Sequence, residues 1–383
     1  MNQFRYFDDH LEQRTKDGLL RKRVIAEHAT ARTIMIDKKE YVNFASNDYL
    51  GLSGCLDDLK MSDLGLSRIG SGSSPLVTGF TREHDELEHF MCDLLGYEAA
   101  LLCNSGFAAN SGLLQALFNE KGVAASSCVF QDKLNHASLI DGSLSSAAKL
   151  ERFNHNDFNH LRQRLEKSKA ENKLIVSEGV FSMDGDCCDV RSLNILAKQY
   201  RAWTLIDDAH AFGVIGQHGL GSIEFAKPDL LVITFGKAVG GQGACVLAKK
   251  NVIEYLVQFN REYIYSTAMS PLMAAINLVQ IKRCVASHGS RSRLRLNIAL
   301  FRELALLARL PLMESKTPIQ PIVLGDAEAT TTVQMKLKQK GIWLSAIRPP
   351  TVPFNTARLR VTLTAMHTEK DIKELVNALG EVI

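Results

Sequence analysis

The sequence predicts an α/β protein with a large domain on a mostly parallel sheet and a small α+β C-terminal domain. Three observations carry that expectation. From residue 99 onward, short apolar runs alternate with helix-periodic segments, the signature of parallel strands joined by helical crossovers. Those runs end in polar or glycine residues, as strands do when they open onto a crevice at their carboxyl ends. After about residue 285 the alternation stops: Ser287–Arg295 is polar and basic, and the remainder mixes strands with longer helices. At 383 residues the chain suits roughly two domains of ~150 residues. The expected division is an N-terminal segment at 1–45, a large domain at 46–285 and a C-terminal domain at 286–383.

The elements follow in order. Leu11–Ile25 has helical character and carries Arg21-Lys22-Arg23. Tyr41–Leu52 is a short strand running into a polar loop, and the Gly/Ser-rich Ile69–Gly79 (IGSGSSPLVTG) is a loop. Thr81–Leu95 is a helix, with Leu87, Phe90, Met91, Leu94 and Leu95 on one face. Ala99–Cys103 is a strand, Asn104-Ser105-Gly106 its exit, and Phe107–Phe118 a helix. Ser127–Gln131 is a strand ending near Asn135-His136. Lys173–Ser177 is a strand ending at Glu178, followed by the loop Phe181–Gly185 and a helix at Ser192–Arg201. Trp203–Ile206 leads to Asp207-Asp208-Ala209-His210. Leu230–Phe235 ends at Thr234 and Lys237, with glycines at 240, 241 and 243. Cys245–Ala248 is a further strand before a helix at 251–259. The C-terminal part holds strands at Ile319–Leu324 and Arg358–Leu363, and a rigid turn at Pro349-Pro350-Thr351-Val352-Pro353.

Composition narrows the function classes. With 45 basic and 42 acidic residues the formal net charge is +3, which offers neither a nucleic-acid stripe nor a membrane-binding surface. The start MNQFRYFDDH has no apolar signal core, and no run approaches the ~18 apolar residues of a membrane span; the expectation is cytoplasmic. The eight cysteines, at 55, 92, 103, 128, 187, 188, 245 and 284, form no C-x-x-C pair, so neither a zinc site nor a disulfide framework is expected. Cys103, Cys128 and Cys245 lie in apolar runs and read as small core residues.

The chemistry lies at the strand ends. Glu178, Asp207, His210, Thr234 and Lys237 each follow an apolar strand, and His136 follows another. Singly, each reads as a helix cap or a satisfied structural residue. Together they place two acids, two histidines and a lysine at one sheet edge. A lysine brought to a buried sheet edge suits a Schiff base, because burial lowers its pKa. A nearby acid holds a pyridinium nitrogen charged, and an imidazole can stack on a flat ring; these needs are those of pyridoxal phosphate (PLP). Asn104–Phe107, between a strand and a helix, offers backbone N–H groups for a phosphate. A nucleotide-binding oxidoreductase would need G-x-G-x-x-G at the first strand–helix turn, and Ile69–Gly79 has a poor frame for it. A PLP-binding regulator without catalysis would carry a DNA-binding appendage, which the near-neutral charge does not suggest.

Five blocks extend the reading: Ser46–Leu52 (SNDYLGL), Ser105–Asn110 (SGFAAN), Glu178–Asp186 (EGVFSMDGD), Asp207–His210 (DDAH) and Thr234–Lys237 (TFGK). In this order they resemble the α-oxoamine synthases, PLP enzymes of the aspartate-aminotransferase fold (type I) that condense an amino acid with an acyl thioester and release CO2. The resemblance runs from about residue 15 to the C-terminus. It implies that Lys237 holds PLP and moves the Cα proton, Asp207 pairs with the ring nitrogen, His210 and Ser182 bond the phenolic oxygen, and His136 stacks on the ring. Gly106, Phe107 and Thr234 would hold the phosphate. Asn47 and Arg360 would bind the amino-acid carboxylate, and Arg21 and Thr351 the acyl substrate, with His136 also facing substrate. It further implies a homodimer, with Ser266 and Thr267 reaching the other subunit's phosphate, and no metal. Ile347–Pro353 (IRPPTVP) is similar to the biotin-pathway member, which takes L-alanine and a pimeloyl thioester on coenzyme A or an acyl-carrier protein. Other members take glycine with acetyl- or succinyl-CoA, or serine with a long-chain acyl thioester. Two stretches depart from the family pattern, Ser73-Ser74-Pro75-Leu76 and Ala238-Val239. They bear on acyl-chain fit and loop mobility.

Overall fold

In the computed structural model, which describes residues 4–54, 64–66 and 68–383, fourteen strands carry the architecture. Three short ones come first: β1 His28–Ala29, β2 Thr33–Ile36 and β3 Lys39–Asn43. Seven follow: β4 Ala99–Cys103, β5 Ser127–Asp132, β6 Lys149–Phe153, β7 Asn172–Glu178, β8 Trp203–Asp207, β9 Leu230–Thr234 and β10 Ala244–Ala248. Four lie near the C-terminus: β11 Ile319–Gly325, β12 Ile342–Trp343, β13 Ser345–Ile347 and β14 Ala357–Thr362. The chain divides into two compact units.

The larger unit comprises the described residues of Leu52–Ser182 and Asp186–Arg291. Its seven-stranded sheet has the order β4-β10-β9-β8-β7-β5-β6. The run from β9 to β6 is parallel, and β10 alone is antiparallel to both its neighbours. β5, β9 and β10 are buried almost throughout, which explains why their sequences read as continuous apolar runs without polar alternation. On one face Leu101, Val129, Val176, Leu205, Val232 and Val246 pack with Leu113 and Leu114 of the helix Gly106–Leu117.

β4 closes one end of this order. There the Leu102 amide donates to Glu88 Oε1 at 3.0 Å, from the neighbouring helix Arg82–Leu95. At the other end β6, with the helices Ala137–Ser145 and Phe158–Lys167, occupies a stretch to which the sequence assigned no elements. β6 reads Lys-Leu-Glu-Arg-Phe and only Phe153 is fully buried, so it lacks the apolar run that marks its neighbours. Ile69–Gly79, expected as a loop throughout, contains one π-helical turn at Pro75–Gly79.

The smaller unit joins the described residues up to Gly51 with Met183–Gly185 and Ser292–Ile383. The N-terminal segment is woven into it: β3 pairs in parallel with β12 in the sheet β1-β2-β3-β12. Arg32 forms a two-pronged ion pair with Asp371 (2.8 and 3.0 Å), tying the segment to the last helix, Glu369–Val382. A second sheet, β11-β14-β13, is antiparallel. The first helix covers Arg5–Lys16 rather than Leu11–Ile25, because Gly18 takes a left-handed conformation (φ +64°) that ends it.

Among the described residues no helix is long and apolar enough to cross a membrane. The seven described cysteines are free and Cys103, Cys128 and Cys245 are buried; Cys55 lies outside the described residues. No cluster of metal-ligating side chains occurs among them.

Candidate active site

Parallel strands deliver their last residues to one edge, and in the larger unit that edge forms a cavity of about 330 Å³. Glu178 and Asp207 end β7 and β8 and are register partners, so the two acids stand side by side. Thr234 ends β9, and Lys237 follows in a turn closed by Gly241 N–H donating to Phe235 O (2.7 Å) and Gly240 N–H donating to Lys237 O (2.9 Å). Gly240 is required there: its φ is +73°, and a Cβ would come within 2.5 Å of the Ser53 nitrogen. Lys237 Nζ lies 2.8 Å from His210 Nε2.

Asp207 is almost wholly buried, and both its oxygens are engaged. Ala209 N–H donates to Oδ1 at 2.9 Å, and Asn110 Nδ2 donates to Oδ2 at 2.7 Å. Asn110 Nδ2 also contacts Ser138 Oγ (3.0 Å), which meets His136 Nδ1 at 2.8 Å. The His136 backbone N–H donates to Glu178 Oε1 at 2.5 Å. Burial, together with the Asp207 charge, pushes the Glu178 carboxyl well above the usual range. Burial lowers the His136 imidazole below its ordinary value and outweighs the pull of Asp207, favouring a neutral ring. Asp208, next in sequence, points elsewhere. It accepts from Ser222 N–H (2.7 Å) and Oγ (2.5 Å), and burial pushes its carboxyl up to about 7.

An anion cradle occupies another wall. Ser105 caps the helix Gly106–Leu117 by accepting from Ala108 N–H at 3.1 Å, and Ser105, Gly106 and Phe107 line the cavity. A Cβ on Gly106 would lie 2.4 Å from Thr234 Cγ2, so only glycine lets the helix start this close to β9. Thr234 Oγ1 is buried with no hydrogen-bond partner among the described residues. Amides at a helix N-terminus beside an unpaired hydroxyl form an anion site. A buried acid, a lysine and an imidazole wall complete a set that fits PLP.

Eight of the residues singled out in the sequence for a chemical role therefore line one cavity: Gly106, Phe107, His136, Glu178, Asp207, His210, Thr234 and Lys237. Ser182 is not among its lining residues. Ser266 and Thr267 line a smaller cavity of about 110 Å³ that shares Asn104. The remaining four pair within the smaller unit. Arg360 Nη1 donates to Asn47 Oδ1 (3.1 Å) and to Thr362 Oγ1 (2.9 Å), and Arg21 Nη2 donates to Thr351 Oγ1 (3.3 Å). Sequence reasoning gave no role to Asn110 and Ser138, which hold Asp207 and His136. Asn110 stands one helical turn after Gly106, a spacing that places both on one face.

The profile of the family described as aminotransferase class I and II matches residues 39–379. The 8-amino-7-oxononanoate synthase of Vibrio cholerae serotype O1 is 44% identical over 379 residues, covering 97% of this chain and 96% of that one. A serine palmitoyltransferase variant from S. paucimobilis, solved with a bound PLP–myriocin aldimine, matches with a TM-score of 0.91 at 26% identity, covering 100% of this chain and 98% of its own. An 8-amino-7-oxononanoate synthase from Francisella tularensis matches with a TM-score of 0.75 at 31% identity, covering 89% of this chain and 97% of that one.

Proposed function

The chain belongs to the class I and II aminotransferase family, and from that premise we propose that it condenses L-alanine with a pimeloyl thioester. The products are 8-amino-7-oxononanoate, CO2 and the free thiol, in biotin biosynthesis. The observation that carries this reading is the buried Asp207 and the Lys237–His210 pair in a cavity with a helix-start anion cradle. Relatives at 44% identity are named 8-amino-7-oxononanoate synthase.

Bound in this cavity, PLP supplies an electron sink for charge developing at the amino acid's Cα. The Gly106 and Phe107 amides and the Thr234 hydroxyl would hold its phosphate, Asp207 its ring nitrogen, and His210 and Ser182 its phenolic oxygen, with His136 over the ring face. Lys237 would hold the cofactor, and its amine would take the proton from the substrate's Cα and later return one there. Arg360 and Asn47 bind the alanine carboxylate; Arg21 and Thr351 contact the acyl chain. A homodimer, in which Ser266 and Thr267 serve the other subunit's phosphate, belongs to the same proposal, as does an acyl donor carried on coenzyme A or an acyl-carrier protein.

Serine with a long acyl chain is the second reading, favoured by the serine palmitoyltransferase at a TM-score of 0.91. Its 26% identity against 44% supports alanine over serine. A matrix of amino acids against acyl thioesters, scored by thiol and CO2 release, tests the choice. Alanine is expected to exceed glycine and serine in kcat/KM by about 10- to 200-fold, the scale of one methyl-sized pocket difference. Serine with palmitoyl-CoA, or glycine with acetyl- or succinyl-CoA, as the best pair would overturn the substrate assignment. Running the pimeloyl group on both carriers identifies the donor.

A further inference from the structure

Beside the cavity stands a second charged cluster that the reaction as described leaves unused. His155 follows β6, on a stretch with no role in the blocks above. Its Nδ1 lies 2.9 Å from Asp132 Oδ1 and its Nε2 lies 2.7 Å from Asp186 Oδ2. A neutral imidazole has one N–H and would turn a lone pair toward one of the two carboxylates; only the imidazolium donates to both. Burial opposes that charge, but the two carboxylates override it and push the ring up to about 10.

The two acids belong to two loops that each follow a cavity-lining strand end or turn: Asp132 precedes His136, and Asp186 follows Glu178, and both His136 and Glu178 line the cavity. Asp132 ends β5 and organises the turn to His136: Leu134 N–H donates to Oδ1 (2.8 Å) and Asn135 N–H donates to Asp132 O (3.2 Å). Asp186 closes the loop after β7, with Phe181 N–H donating to Asp186 O (2.9 Å). Asn156 doubles the bridge, its N–H reaching Asp132 Oδ2 and its Nδ2 reaching Asp186 Oδ2, at 2.8 and 2.7 Å. The Phe181 ring meets the imidazole edge-on at 4.4 Å between centroids.

We propose that His155, as a standing imidazolium, is a positioning residue that clamps the His136 turn to the Phe181–Asp186 loop and so sets the height of the His136 ring in the cavity. The clamp rests on the reading of that cavity as the PLP site. Ordered loops alone would need only neutral bonds. A cation between two carboxylates resists being pulled toward either loop, because each displacement weakens one charge-assisted bond.

Three measurements on the full-length protein test it. In histidine-labelled wild type, ¹⁵N resonances should report both His155 nitrogens protonated at pH 8; a single-proton tautomer there would overturn the clamp. His155→Gln is uncharged and carries its donors on a single nitrogen, so it cannot give both carboxylates a charge-assisted bond. It should lower kcat by about 10- to 100-fold, the scale of an ångström-sized misplacement, with KM for alanine changed little and with a shifted visible spectrum of bound PLP. Asp186→Asn, which keeps the shape and removes one charge, should shift the same spectrum in the same direction. A lowered Tm with spectrum and kcat unchanged in both variants would make His155 structural only and sink the proposal. Wild type that takes up no PLP would instead overturn the reading of the cavity, with the ¹⁵N result still deciding the imidazolium.

Discussion

Lys237 Nζ and His210 Nε2 stand 2.8 Å apart at the cavity wall, on the ends of two adjacent parallel strands. The amine is held by a group from the turn after β8 while its backbone is held by the turn after β9. Borohydride treatment of the PLP-loaded protein is expected to leave a pyridoxyl label on Lys237 alone. Lys237→Ala should bind PLP without a covalent link and lose turnover. A label on a different lysine, found by peptide mass spectrometry, would refute the assignment.

Asp207→Asn keeps the shape and removes the charge proposed to pair with the ring nitrogen. Turnover should fall at least ~100-fold, about 2.7 kcal/mol at 1.36 kcal/mol per tenfold. Asp208→Asn is the control: its carboxyl is bonded to Ser222 rather than to the cavity, so it should lower Tm and leave kcat within a few-fold. Steady-state kinetics with thermal melts on both variants check this, and a reversal of the two phenotypes would move the role to Asp208.

Arg360 is buried and pairs with Asn47, and it is the residue proposed to bind the alanine carboxylate. Arg360→Lys loses the fork geometry. KM for alanine should rise about 10- to 100-fold, since bonds to charged groups are worth roughly 1.5–3 kcal/mol, and KM for the thioester should move little. Equal rises in both KM values would mean that Arg360 does not select the amino acid.

Glu88 gives a pH signature. Burial pushes its carboxyl from 4.5 to about 8. A raised folded-state value means that its contribution to stability is fully present below pH 4.5 and is lost as pH rises through about 8. Gln has no proton to lose and keeps an acceptor for the Leu102 amide. Glu88→Gln should therefore match wild type in Tm near pH 4.5 and exceed it at pH 8.5. A constant difference across that range would show that Glu88 does not titrate as argued.

Much of this was legible in the sequence, and what was not has physical causes. β5, β7, β8, β9 and β10 were readable because both faces of their sheet are covered, which leaves uninterrupted apolar runs. The reversal of β10 was not, since direction leaves no mark on composition. β6 was hidden by Lys149, Glu151 and Arg152 at the sheet's end. Polar residues after apolar runs betrayed Glu178, Asp207, His210, Thr234 and Lys237. Asn110 sits inside a helix and Ser138 just inside another, where nothing distinguishes a cavity-facing polar residue from an ordinary one. Asn47 and Arg360, 313 residues apart, came from resemblance alone. The N-terminal helix ends earlier than the spacing of its apolar residues suggests, because the left-handed Gly18 stops it.

Glu88 also bears on how molecules of this chain behave toward one another. β4 is a terminal strand of sequence Ala-Ala-Leu-Leu-Cys, uncharged and apolar, and an uncovered edge of that kind recruits strands from other chains. The carboxyl that occupies the Leu102 amide removes a docking point for such a strand. At that position the helix Arg82–Leu95, rather than a strand from another chain, satisfies the edge, so the same buried acid that weakens the fold in alkali also fills a backbone valence of the sheet.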